Sequence, residues 1–150
     1  MALHFVTGNL LDDKSSALVN TVNCVGVMGK GIALQFKQRF PKYFQYYKAL
    51  CKEGMIRTGR IDLYSDIESG KTLVSFPTKN HWSNPSILAW IDSGLISLAT
   101  AIMTLKIKSI AIPMLGCSNG QLNWTDVREL IVKHLEDISD CDIYVYGPML

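Results

Sequence analysis

Hydrophobic positions along this chain switch repeatedly between two spacings, and the switches mark its elements. Residues 3–6 and 17–22 are short apolar runs of strand character. Gly26, Gly29 and Gly31 then interrupt the pattern. From Ile32 the apolar residues Ile32, Leu34, Phe36 and Phe40 recur with Lys37 and Arg39 between them, which predicts a helix ending at Pro41. Pro41 suits the first turn of a second helix over 43–52, and Gly54 stops it. Residues 61–64 and 72–76 read as strands joined through a turn at Glu68, Ser69 and Gly70. Pro85 opens a long helix to Leu105, with Leu88, Ile91, Leu95, Leu98 and Ile102 on one face. Residues 109–113 form a near-continuous apolar run, as expected of a strand buried on both faces. A final helix covers 124–138, capped by Asn123 and turning Val127, Leu130, Ile131, Leu135 and Ile138 inward; a last strand covers 143–146.

Strands alternating with helices predict an α/β sandwich with helices on both faces of the sheet. Ligands in such folds sit beyond the carboxyl ends of the strands. That rule selects four segments: Gly8-Asn9-Leu10-Leu11, residues 23–31, residues 77–82 and residues 114–120. They hold most of the glycines and nearly all the polar residues that periodicity leaves unexplained.

Length and charge narrow the picture. The 150 residues suffice for one domain over 1–150 with its own core. The net charge of +2 is spread along the chain, a weak footprint for tight binding of nucleic-acid phosphates. Cys24, Cys51, Cys117 and Cys141 form no CxxC pair and no zinc-ligand spacing with histidine, so buried, reduced thiols in a cytoplasmic protein are expected, with no metal and no cofactor. No apolar stretch of the 18 to 20 residues that a membrane span needs is seen, and residues 1–6 show no signal-peptide pattern, so no membrane association is expected.

The chemistry concentrates in the loops. Gly26-Val27-Met28-Gly29-Lys30-Gly31 lies between a strand and a helix, where glycines let backbone N–H groups approach a ligand and the helix adds a positive dipole end. It is neither a Walker loop nor GxGxxG. Gly116-Cys117-Ser118-Asn119-Gly120 also follows a buried strand and precedes a helix. Two such loops at one sheet edge suit a diphosphate; two unrelated strand-to-helix turns account for the same residues. Asn20 and Asn23 flank the end of a strand, with Asn20 expected to cap a turn and Asn23, beside the glycine loop, to meet ribose hydroxyls. Thr78, Lys79 and His81 end another strand, and Lys79 and His81, two residues apart on extended backbone, are expected to point to one side and to do acid–base or nucleophilic work. Trp82 is read as packing.

Together these motifs resemble the macrodomain family. The frame is a Gly-Asp-Ile-like turn, here Gly8-Asn9-Leu10-Leu11; an Asn-rich strand end, Asn20-Thr21-Val22-Asn23; the first glycine loop; and a Ser-Ile-Ala-Ile-Pro strand, residues 109–113, leading into the second. The runs 18–23, 26–36 and 76–79 look most like the antitoxin macrodomains of the DarT–DarG type, which remove ADP-ribose from thymidine bases in DNA. Part of the pattern is shared with the terminal ADP-ribose glycohydrolase of animals, which acts on acidic side chains. The resemblance implies a three-layer α/β/α sandwich with a mixed central sheet. It implies an ADP-ribosyl hydrolase, monomeric, acting on an ADP-ribosylated macromolecule, with transient contact to single-stranded DNA. Lys79 would be catalytic with His81 in support, Asn23 would meet the distal ribose, the glycine loops the diphosphate, and Asn9, where many macrodomains have Asp, the adenine edge. Gly120 stands where the animal glycohydrolase carries a catalytic Asp, which favours the nucleobase substrate. The alternatives are an ADP-ribose reader without turnover, a phosphatase of ADP-ribose 1″-phosphate, and a deacylase of ADP-ribosylated Glu or Asp.

Overall fold

A computed structural model describes residues 2–148. Six strands form one sheet in the order β1-β6-β5-β2-β4-β3: β1 (Ala2–Val6), β2 (Ala17–Val22), β3 (Asp62–Ser65), β4 (Thr72–Pro77), β5 (Ser109–Ile112) and β6 (Asp142–Tyr146). Five are parallel, and only β3 runs antiparallel, paired with β4, so the sheet is mixed as expected. Four helices cover it: α1 (Gly31–Arg39), α2 (Pro41–Lys52), α3 (Leu88–Leu105) and α4 (Trp124–Leu135).

Strand alternation splits the core in two. In β2, Ala17 and Val19 face α3 and α4, where they join Ile91, Leu95, Leu98, Val127 and Ile131. Leu18 and Val22 face the opposite way, onto Phe36 of α1 and Tyr43 and Tyr47 of α2. Asn20 shares that second face and is fully buried. Its Nδ2 reaches Tyr43 Oη at 3.3 Å and Met28 Sδ at 3.8 Å. It caps no turn. Burial pushes the Tyr43 hydroxyl up to about 12, so it stays neutral and shares a 2.7 Å hydrogen bond with Ser75 Oγ.

Some expected boundaries move, each for a local reason. The long helix begins at Leu88 rather than Pro85, because Ser86 N donates to Gly120 O and holds the chain against the second glycine loop. Leu88, expected on the core face, is therefore the first residue of the helix and exposed. The last helix stops at Leu135; Ile138 still reaches the core, through a turn in which its N–H donates to Leu135 O. Asn123 does cap that helix, accepting from Thr125 N at 2.8 Å. Helix α3 is long and apolar enough to span a bilayer, with a mean hydropathy of 1.6 over 18 residues and Asp92 its one charged residue, which corrects the expectation that no such stretch exists. In the fold its Ile91, Leu95, Leu98 and Ile102 face is core. All four cysteines are free, yet only Cys141 is buried; Cys24, Cys51 and Cys117 are half-buried.

Candidate active site

The parallel strands end along one edge of the sheet, and the segments after β2, β4 and β5 enclose a cleft of about 650 Å³ there. That volume lies within the roughly 300–1,000 Å³ usual for ligand pockets. The cleft sits where the chain leaves β2 toward β4 on one side while β5 flanks β2 on the other, a switch point of the kind where α/β sheets bind ligands.

The first wall is the glycine loop after β2. Asn23 organises it. Its Oδ1 accepts from Val25 N at 3.1 Å and Val27 N at 3.4 Å, and its Nδ2 donates to Val27 O at 2.8 Å. Tyr47 of α2, buried in the second core, donates to Asn23 O and Oδ1, both at 2.8 Å. The turn-shaping task expected of Asn20 thus falls to Asn23, which still lines the cleft and keeps one amide hydrogen free of these bonds. Gly26 has φ +87° and lies against Lys48 and Cys51 of α2. Gly29 needs no unusual φ, and a Cβ there would meet only Val27 Cγ1, at 3.6 Å.

The opposite wall is the loop after β5. Leu122 N donates to Gly116 O at 2.9 Å and closes it. Nothing larger than hydrogen fits at Gly120, where a Cβ would collide with Ser86 Oγ and the Gly116 carbonyl. The two loops meet where Asn119 Nδ2 comes within 3.6 Å of the position a Cβ would take on Gly31. Cys117 lines the cleft, but burial pushes its thiol up to about 11, so it stays protonated and a poor nucleophile.

The end of the cleft is the chain after β4. Thr78 is buried, its N–H extending the pairing to Val22 O. Lys79 Nζ enters the cleft and donates to Trp82 O at 3.2 Å. Burial, and then the Lys30 ammonium, pull the Lys79 pKa below the ordinary lysine value. Beyond Lys79 the backbone is no longer extended. The chain bends at Asn80 and His81, and Asn84 N donates to His81 O at 3.1 Å to close the turn that follows, so the extended backbone that would put Lys79 and His81 on one side is absent. His81 lies outside the cleft lining, with Nδ1 2.7 Å from Ser83 Oγ and 3.1 Å from Ser83 N. Trp82, expected to pack, is 56% exposed and lines the cleft instead.

Of the residues singled out in the sequence, the cleft gathers Asn23, Val27, Gly29, Lys30, Thr78, Lys79, Gly116, Cys117, Ser118, Asn119 and Gly120. It does not gather Gly8, Asn9, Leu10, Asn20, Gly26, Met28, Gly31 or His81. Asn9 caps a 3-10 turn (Leu10–Asp12), its Oδ1 accepting from Leu11 N at 3.1 Å, and Leu10 is buried. Met28 is a buried anchor beneath the first loop. Thr21, Val22, Ile32, Ala33, Trp82, Ser83, Met114 and Gln121 line the cleft without having been singled out as ligand contacts. Thr21 and Val22 close β2 and Ile32 and Ala33 open α1, positions that the strand-end rule itself could have supplied.

The Macro domain family profile matches residues 19–131, which span both glycine loops and Lys79. The chain belongs to the Macro domain family. The macrodomain of Mycobacterium tuberculosis DarG superposes with a TM-score of 0.94 at 46% identity, covering 98% of each chain. A Thermosipho africanus DarTG structure in complex with ADP-ribose superposes at 0.91 with 32% identity, over 99% of this macrodomain and 42% of that chain. Among curated proteins, the DNA ADP-ribosyl glycohydrolases of M. tuberculosis and Thermus aquaticus are 47% and 44% identical over 144 and 149 residues, covering 95% and 98% of this chain. The macrodomain spans about two fifths of the length of those relatives, 41% in each.

Proposed function

We propose that this macrodomain hydrolyses ADP-ribose from a modified nucleobase, of thymidine type, on DNA. The observation that carries the reading is the inventory of titratable groups in the cleft. Among its lining residues there is no Asp, Glu or His, and the titratable side chains are Lys30, Lys79 and the neutral thiol of Cys117. Gly120 cannot carry a carboxylate without breaking the packing around it. Acid–base work at an anomeric carbon therefore falls to lysine. The DNA ADP-ribosyl glycohydrolases at 44–47% identity, and the ADP-ribose held by the DarTG relative, support the same ligand and reaction.

In this reading the diphosphate lies between the two glycine loops, held by backbone N–H groups and the N-terminus of α1. The distal ribose faces Asn23 and Lys79, while Asn9 and Leu10, outside the cleft, receive the adenine. Water adds to the anomeric carbon as the bond to the base nitrogen breaks, and the base leaves with a proton. Lys79 acts at that bond. Its lowered pKa suits an ammonium that gives up a proton to the departing base while water adds, or a neutral amine that displaces the base to form a lysine–ribose adduct, which water then hydrolyses to ADP-ribose and the free amine. The pH profile separates the two roles: activity falls as pH rises through the Lys79 pKa for the proton donor and rises for the nucleophile.

Lys79→Ala tests the reading. Single-turnover cleavage of an ADP-ribosylated single-stranded oligonucleotide should fall by at least about a hundredfold, with ADP-ribose affinity by calorimetry nearly unchanged. Glutamate-linked ADP-ribose and ADP-ribose 1″-phosphate serve as comparison substrates, the latter because yeast ADP-ribose 1″-phosphate phosphatase is 34% identical over 105 residues. Wild-type cleavage of either comparison substrate with the thymidine adduct left intact would overturn the substrate; full turnover by Lys79→Ala would overturn the role of the lysine.

A further inference from the structure

Trp82 is a large apolar side chain left 56% exposed at the mouth of the cleft. The indole is backed on one side: the His81 ring lies 4.8 Å from it at 33°. His81 is in turn fixed, its Nδ1 bonded to Ser83 Oγ at 2.7 Å and to Ser83 N at 3.1 Å. The turn is tied at both ends, by Asn84 N donating to His81 O and by Cys24 N donating to Asn80 O at 3.2 Å. An aromatic ring that is more than half exposed in a ligand cleft, with a second ring packed against it, suits stacking on a ligand rather than a core. Its place is also specific. The carbonyl of Trp82 accepts from Lys79 Nζ at 3.2 Å, so one residue carries both the platform and the anchor of the reacting lysine. Both residues line the cleft, so the lysine and the ring border the same space.

We infer that the Trp82 indole stacks on the leaving nucleobase of the substrate, with His81 as its positioning residue, and that this contact selects a planar heteroaromatic leaving group over a carboxylate side chain. The inference rests on the proposed glycohydrolase reading. A base offers a π-face whatever its sequence context, and stacking of this kind is sequence-tolerant. A carboxylate leaving group offers no comparable flat surface. His81 then acts on the reaction through the indole, without touching the anomeric carbon.

Binding in a turnover-deficient background tests this without requiring cleavage. In Lys79→Ala protein, an ADP-ribosylated single-stranded oligonucleotide should bind more tightly than free ADP-ribose. Adding Trp82→Ala should weaken the oligonucleotide by about tenfold to a hundredfold and leave ADP-ribose, which also reports folding, near its starting affinity. Adding Trp82→Phe should restore most of the loss. In otherwise wild-type protein the same substitutions should move KM for the thymidine adduct more than kcat. Equal oligonucleotide binding by Trp82→Ala and its parent, or an equal loss of ADP-ribose and oligonucleotide, overturns the inference. Absence of thymidine-adduct cleavage by wild type, with the Trp82-dependent binding difference present, overturns the glycohydrolase reading and keeps the platform.

Discussion

The two glycine loops look alike in sequence and are held by different means. The loop after β2 is held by hydrogen bonds: Asn23 fastens Val25 and Val27, and Tyr47 fastens Asn23 from α2. The loop after β5 has backbone hydrogen bonds, among them Leu122 N to Gly116 O and Ser86 N to Gly120 O, and adds a steric fit, with Gly120 wedged against Ser86 and the Gly116 carbonyl. In the first loop Gly29 has room around it that the fold does not use. In the second, Gly120 is glycine because the fold allows nothing else. A glycine in a loop of this kind can thus be kept for a ligand or for packing, according to whether a Cβ would find room there.

That contrast can be broken at four places, taken from the largest effect to the smallest. Gly29→Glu should leave the thermal midpoint near wild type, because its Cβ meets only Val27, and should eliminate ADP-ribose binding in calorimetry by placing an anion at the proposed phosphate position. A variant that unfolds would show that the first loop, too, is steric. Gly120→Ala should do the reverse at the level of stability: overpacking costs about 1–3 kcal/mol, read as a drop in the urea midpoint without a change in slope. Tyr47→Phe removes the hydroxyl from Asn23 and should cost about 1 kcal/mol, with a loosened first loop visible as faster amide exchange at Val25 and Val27. No change in exchange there would mean that Asn23 holds the loop unaided. The smallest effect concerns charge. The Lys79 pKa is lowered by burial and by the Lys30 cation, so Lys30→Met should move it back up toward the ordinary lysine value. The limb of the pH–rate profile that Lys79 sets, alkaline for a proton donor and acid for a nucleophile, then shifts to higher pH; an unmoved limb would show that Lys30 is not what acts on Lys79.

The comparison also explains which parts of the site could be read early. Both glycine loops, Lys79 and Asn23 follow apolar strands in sequence, so the strand-end rule finds them without coordinates. Asn20 illustrates the limit. It lies three residues from Asn23, but alternation along β2 sends its side chain under α2, to Tyr43 and Met28, and away from the cleft. His81 illustrates a second limit. Extended backbone would put it on one side with Lys79, and the bend at Asn80 and His81 takes that geometry away. Trp82 illustrates a third, since a tryptophan in a loop reads as packing until its exposure is known.

Sequence by itself determined the alternation of strands and helices, the sheet edge that carries the cleft and the lysine at its end. Those features follow from local periodicity and from residues whose chemistry is the same wherever they stand. Tertiary structure alone decided which asparagine shapes the first loop, why position 120 must be glycine, and which way His81 and Trp82 face. Each depends on groups far apart in the chain or on a turn that periodicity does not encode: Tyr47 reaching Asn23, Ser86 pressing on Gly120, and Lys79 meeting the carbonyl of Trp82.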